Sequence, residues 1–284
     1  MLLPVLPFFK KAEQGRSETL PTPTSSTKIP TMKPIIHRVG PFLIYSYTVV
    51  LSLGILVAAG ITGWLARKEQ VEKWFDALLV CLVSGLIGGR FGFVVANWDY
   101  FQEQMASIPR LWQGGSSYFG ALMAGLLGLW LWTQREREKR PFTTYSDLLA
   151  PGLALLCAFG WFACWLEGCA HGAETTLGPF AADLPDAFGI FNIRYQTQIM
   201  GMVWSLLVFF FALATRQQGN AGQLFWGTWA LISLGHVGIS FLRGDPMPMI
   251  NSYRLDTILN GTFVLISIIF VIKYQNHSMN LNKM

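Results

Sequence analysis

The segment Asp76–Ala96 reads DALLVCLVSGLIGGRFGFVVA, and Arg90 is the one charge inside it after the opening Asp76. An uninterrupted apolar run of this kind matches the ~20 residues that an α-helix needs to cross the hydrocarbon core of a bilayer. Comparable runs recur at about 42–64, 117–133, 148–166, 197–215, 222–242 and 256–273. The composition agrees, with 52% hydrophobic residues, only 13% charged ones and 11 Trp, and a mean hydropathy of +0.40. Backbone amides in hydrocarbon must be satisfied within the spanning structure, and runs of helix length exclude a barrel of ten-residue alternating strands. The expected fold is therefore all-α, a polytopic membrane bundle of about seven transmembrane helices. Its single domain is expected over 39–273, with a flexible tail at 1–38 rich in Pro, Thr, Ser and Lys and a short C-terminal tail at 274–284.

Charge sets the expected orientation, because loops rich in Lys and Arg remain cytoplasmic. Arg67, Lys68 and Lys73 follow the first run, and Arg135, Arg137, Lys139 and Arg140 follow the third, whereas Arg110 and Arg194 stand alone in the loops between. The N-terminus is thus expected outside and the C-terminus in the cytoplasm. Basic residues within the first 40 positions oppose this reading, and a start at Met32 would remove most of the conflict. The net charge of +5 sits mainly at helix ends, which suits lipid headgroups rather than nucleic acid. Met1–Phe9 lacks a charged leader and a small-residue cleavage site, so no cleavable signal is expected there.

Polar groups within membrane helices are costly and draw attention first. Ser84–Phe93 carries small residues that allow close helix contact, together with Arg90, whose planar fork suits a phosphate. Its alternatives are snorkelling to the interface or pairing with Asp147. Gly114, Gly115 and Ser117 form a Gly-rich turn whose amides could hold an anion, or could simply join a loop to a helix. Trp165–Gly172, WLEGCAHG, places Glu167, Cys169 and His171 where a helix leaves the membrane. Glu167 and His171 would share a face if the helix continued, but two glycines argue that it frays. The same stretch could be a solvated cap. Cys164 and Cys169 could form a disulfide, or bind metal with Glu167 and His171, although the spacing is unlike a zinc site. No metal and no cofactor is expected.

Together these pieces resemble the prolipoprotein diacylglyceryl transferases from Val39 to Phe270, in the same order and spacing. Gly40-Pro41 and Tyr47 fall where the family has an essential tyrosine in its first helix. GGRFGF at 88–93 matches its GGR-x-G-[YF], WQGGSSYFG at 112–120 its W-x-GG-x-S-[FY]-H-G, and Ser146–Pro151 its S-D-x-x-A-P. Phe241-Leu242-Arg243 matches its F-[FL]-R, and Gln198 lies near a glutamine at the start of its fifth helix. The departures are equally specific. Phe119 stands for the motif's histidine, and Trp161 and Cys164 for the arginine and asparagine of G-R-x-G-N. Cys169 replaces the glutamate of N-G-E, His236 an arginine of the sixth helix, and Ser240 an acidic residue. The GC-x-HG pattern is similar to a cysteine-bearing branch of the family.

The resemblance implies transfer of a diacylglyceryl group from phosphatidylglycerol to the cysteine thiol of a lipoprotein signal peptide. Such a displacement needs a base for the thiol and stabilisation of the leaving phosphate. Arg90 and Arg243 are the implied phosphate clamps, with Gly114, Gly115 and Ser117 beside them, and Tyr47 an implied donor. Glu167, His171 and His236 are the candidate bases, and His236 could also be a packed polar residue. The segment 167–196 is expected as an extracytoplasmic cap, and Asp256 as the N-terminal cap of the last helix. A non-catalytic relative that binds lipid is the alternative, and a transporter a more remote one, since no inverted repeat is visible.

Overall fold

The computed structural model describes residues 35–39, 42–111, 114–135, 140–176, 178–185 and 190–281. Most of the expected tail at 1–38, the Gly40-Pro41 pair, Trp112-Gln113 and the last three residues lie outside them. Every apolar run becomes a helix. In chain order the elements are β1 (Ile35–Val39), β2 (Phe42–Tyr45), α1 (Ser46–Lys68), α2 (Trp74–Ala96), the single turn α3 (Trp98–Phe101), α4 (Tyr118–Arg135) and α5 (Phe142–Glu167). After these come β3 (Ala181–Pro185), β4 (Phe191–Tyr195), α6 (Thr197–Thr215), α7 (Gln223–Ser240), β5 (Met249–Ile250), β6 (Tyr253–Arg254) and α8 (Leu255–Leu281). Among the described residues the six strands pair as three two-stranded antiparallel sheets.

Among the described residues five helices are long and apolar enough to cross a membrane: α1, α2, α5, α6 and the Leu255–Asn276 part of α8. The remaining two of the seven expected runs, α4 and α7, are helices as well, with 18 residues each. Glycine, tryptophan and terminal polar residues dilute their hydrophobicity. The first helix begins at Ser46 rather than 42, because Phe42–Tyr45 pairs with Ile35–Val39 as β2 with β1.

The chain divides into two compact units. In the first, Asp76–Arg137, α2 and α4 approach through small residues, since apolar side chains gain little by leaving lipid and close backbone packing must drive association. A Cβ placed on Gly92 would lie 3.2 Å from the Gly120 Cα and 3.1 Å from the Ser117 Cβ. Larger residues at that crossing would separate the helices, while Ile87 and Phe91 point outward.

The second unit, Met32–Phe75 with Glu138–Met284, is a bundle in which α5 packs against α1, α6 and α7, and α7 against α8. Its core includes Ala154, Leu155, Val208, Phe209 and Ile232. One end of this bundle is tied by a polar network. Arg216 donates its Nε and Nη2 to the Glu69 carboxylate, and Nη1 to the Asp147 carbonyl at 2.9 Å. The Asp147 carboxylate accepts from the amides of Gly222 (2.6 Å) and Phe225 (2.8 Å), so it caps the start of α7 from another helix. The aspartate of the S-D-x-x-A-P motif thus has a structural partner, and it is not Arg90.

Candidate functional site

At the opposite end of this unit the starts of α1, α6 and α8 meet the ends of α5 and α7. Gly244, Pro246 and Pro248 stop helical continuation after α7 and force a loop. Within it Arg243 grips Asp245 bidentately, Nε to Oδ1 at 2.7 Å and Nη2 to Oδ2 at 2.5 Å, and reaches Asp256 from Nη1 at 3.1 Å. Arg254 closes the ring by donating Nε to Asp256 at 3.2 Å and Nη2 to Asp245 at 3.3 Å. Two guanidiniums and two carboxylates cancel in charge. Burial works against ionising both groups of the inner pair. It is outweighed by mutual contact, so Arg243 is held above its ordinary value, while Asp245 is held below its own by Arg243, Arg254 and His171. Asp256 also accepts from the Thr257 amide at 2.9 Å, but it is the second residue of α8 and not the cap expected before it.

Asp245 and Arg254 were absent from the sequence candidates. Their signal was present nonetheless, because Arg243-Gly-Asp245 and Arg254-Leu-Asp256 repeat one Arg-x-Asp spacing on either side of a hairpin turn. Only the β5–β6 hairpin shows that the two triplets interlock rather than pair separately.

His171 is brought to this ring by a short backbone splice. The Gly244 amide donates to the His171 carbonyl at 2.9 Å and the Ala173 amide to the Leu242 carbonyl at 2.8 Å. The His171 ring is buried, and its Nδ1 lies 3.3 Å from the Gly172 carbonyl. A carbonyl can only accept, so that contact requires a proton on Nδ1 and leaves Nε2 as the basic nitrogen. Glu167 turns elsewhere. Helix α5 ends on it, because Gly168 adopts φ +74°, the left-handed conformation that glycine accepts without penalty. Its carboxylate meets the first turn of α1, where the Tyr47 backbone amide is its partner. The structure therefore gives Glu167 and His171 different neighbours, as fraying of the helix implied. Cys164 and Cys169 form a disulfide across this turn. Among the described residues no group of three or more His, Cys, Asp or Glu side chains is arranged to hold a metal ion.

His236 lies deeper, within α7. Its Nε2 accepts from the Trp161 indole N–H at 3.1 Å, which fixes the imidazole with its proton on Nδ1, toward Asn260. Trp161 is nine-tenths buried and lies against Gly201, where any Cβ would strike its ring. The two positions where family motifs carry arginines thus hold a neutral, mutually bonded pair. In this geometry Nε2 is not open to a substrate proton.

In the first unit Arg90 is buried among carbonyls. Nε donates to Ile108 (2.8 Å), Nη1 to Gly114 (2.7 Å) and Gly115 (3.2 Å), and Nη2 to Ser107 (2.7 Å), while Phe101 lies beneath the guanidinium with its centroid 5.2 Å away. Gly114 and Gly115 can turn their carbonyls inward because both have positive φ, +79° and +86°. Arg90 therefore neither snorkels nor pairs with Asp147. The anion cradle expected from the Gly-rich turn is also altered. The Gly114 amide donates to Leu111 and that of Ser117 to Gly89, so these two donors are already committed. What the arrangement retains is a buried positive charge donating to the carbonyl oxygens of Ser107, Ile108, Gly114 and Gly115.

A helical membrane protein with a buried arginine in one unit, and a histidine beside an arginine–aspartate ring in the other, is the class that fold and site define. The family model for prolipoprotein diacylglyceryl transferase matches residues 34–273. The chain belongs to that family. Among its relatives is phosphatidylglycerol–prolipoprotein diacylglyceryl transferase 2 of Clostridium perfringens, 29% identical over 226 residues covering 76% of this chain and 85% of that one. The Cutibacterium acnes transferase is 28% identical over 256 residues, 86% of each chain, and that of Mycobacterium leprae is 27% identical over 262 residues, 84% of this chain and 78% of its own.

Proposed function

We propose that this protein transfers the diacylglyceryl group of phosphatidylglycerol to the cysteine thiol of a lipoprotein precursor. The observation that carries the reading is the family match across nearly the whole helical region. The thiol sulfur attacks the glyceryl carbon, forming a carbon–sulfur bond as the carbon–oxygen bond to phosphate breaks, and glycerol phosphate leaves. His171 Nε2 is the base we assign to the thiol proton, since Nδ1 is committed to a carbonyl. Glu167 supports the Tyr47 turn of α1. Arg243 presents its remaining N–H edge to anionic substrate from a rigid ring, and Arg90 supplies positive charge in its own unit. We assign the end bearing His171 and Arg243 to the outer side by the charge count of the loops, as the extracytoplasmic cap reading requires.

The test is complementation. The protein is expressed in bacteria depleted of their own transferase, and a lipoprotein precursor is followed by its mobility shift. Mature lipoprotein, lost with His171→Ala or Arg90→Ala, is the expected result. Unmodified precursor with correctly inserted protein would overturn it.

A second reading, a lipid-binding relative without the chemistry, is favoured by one observation. Where the motifs carry two arginines this chain has the Trp161–His236 pair. That reading predicts phosphatidylglycerol co-purifying with a protein that supports no mobility shift.

A further inference from the structure

The disulfide between Cys164 and Cys169 closes a small ring of chain that contains Glu167 and Gly168. Cys164 is fully buried in α5, whereas Cys169 is partly exposed. What the ring and the residues after it contact is specific. Within the ring, Glu167 engages the amide of Tyr47 at the start of α1. At its end, the Cys169 carbonyl accepts from Gln198 Nε2 at 2.8 Å and the Ala170 carbonyl from Thr197 Oγ1 at 2.6 Å. Ala170 itself sits at φ +54°, a left-handed conformation that brings its Cβ close to the following carbonyl. One residue later His171 enters the splice with Gly244 that sets it beside Asp245.

A helix end that stops on glycine and continues through a left-handed alanine would fray if nothing held it. Here the hydrogen bonds from α6 hold one side of the turn, and the sulfur bridge holds the other to α5. Releasing the bridge frees the chain between Glu167 and His171 to change their separation. Displacements of about 1 Å at a reacting group can cost about 100-fold in rate.

We infer that the Cys164–Cys169 disulfide is a positioning element for the transfer reaction, fixing His171 and Glu167 in register with Arg243 and Tyr47, so that the protein is fully active only with the bridge closed. The inference rests on the transferase reading above. An outward-facing site suits it, since disulfides persist on the oxidising side of the membrane. Reduction by a trialkylphosphine is balanced. The phosphine attacks the accessible Cys169 sulfur, the sulfur–sulfur bond breaks, and Cys164 leaves as a thiolate and takes up a proton. Water then converts the phosphorus adduct to phosphine oxide and frees the Cys169 thiol. Oxidised glutathione reverses the change and leaves as two reduced molecules.

The experiment uses the full chain in phosphatidylglycerol-containing nanodiscs. Thiols are counted after denaturation by the mass added by a maleimide polymer, and transfer to a cysteine-bearing signal peptide is measured in parallel. Untreated protein is expected to add two labels, at Cys81 and Cys157, and reduced protein four. Reduction is expected to lower kcat by about 10- to 100-fold with KM for phosphatidylglycerol little changed, and re-oxidation to restore it. Cys164→Ser with Cys169→Ser should show the lowered kcat without any response to phosphine. Four labels on untreated protein, or undiminished kcat after two further thiols appear, would overturn the inference. Transfer by neither form would remove the transferase reading and the positioning role with it, while the label count would still report whether the bridge exists.

Discussion

The indole N–H of Trp161 on α5 donates to Nε2 of His236 on α7 at 3.1 Å, with the two rings edge to face and 5.4 Å apart. Each residue stands where the family motif carries an arginine, and the exchange of two like charges for one donor and one acceptor is coherent only as a pair. Trp161→Phe leaves His236 buried without its donor, and is expected to cost about 1–3 kcal/mol of stability. Trp161→Phe with His236→Leu should cost less than the sum of the single changes, giving a coupling of at least about 0.5 kcal/mol in a double-mutant cycle of unfolding free energies. Strict additivity would mean that the two rings are neighbours without interaction.

Arg90 is expected to act by shaping the loop of the first unit. Its guanidinium collects the carbonyls of Ser107, Ile108, Gly114 and Gly115, a pattern that a lysine ammonium with three donors and no planar fork cannot reproduce. Both Arg90→Lys and Arg90→Ala should abolish complementation, and both should speed hydrogen exchange at the amides of 107–117. Wild-type exchange there in Arg90→Lys would show that only the charge matters.

Removing the carboxylate of Asp147 leaves two amides at the start of α7 without their acceptor. Loss of a helix cap costs typically about 1 kcal/mol, and about 2 kcal/mol in the stronger cases. Asp147→Ala is expected to lower the Tm by several degrees in detergent, with Asp147→Asn, which keeps a side-chain acceptor, falling between. A Tm unchanged in Asp147→Ala would show that other groups take over the cap.

Asp245 ties the charged ring to acid stability. Its folded pKa lies below the unfolded value because Arg243, Arg254 and His171 outweigh the effect of burial. A group of this sign stabilises the fold fully above its unfolded value of about 3.9 and loses that contribution as pH falls through its folded value. Wild-type protein should therefore lose stability below about pH 4 more steeply than Asp245→Asn. At neutral pH the variant leaves Arg243 with one carboxylate instead of two, and breaking such a buried pair costs about 3–5 kcal/mol. Parallel acid curves for the two proteins would remove Asp245 from the account.

Much was determined by the sequence by itself. The apolar runs required helices because hydrocarbon offers backbone amides no other partner. All seven runs became helices, and the run at 197–215 keeps the bounds read from sequence. The family was legible from ordered motifs, and the frayed end after Glu167 from two glycines. Tertiary structure decided the partners, because a side chain's role depends on groups distant in sequence. Arg90 read as a phosphate fork but spends its donors on carbonyls 17 to 25 residues away. Glu167 and His171 read as two candidate bases at a frayed helix end, and only the fold gave one to α1 and the other to the loop after α7. Cysteine spacing left a disulfide and a metal site both open, and the geometry of one turn chose between them. Two substitutions 75 residues apart read as separate losses until α5 and α7 brought Trp161 onto His236. Burial makes such contacts decisive, since a polar group removed from water must be satisfied by whatever the fold places beside it.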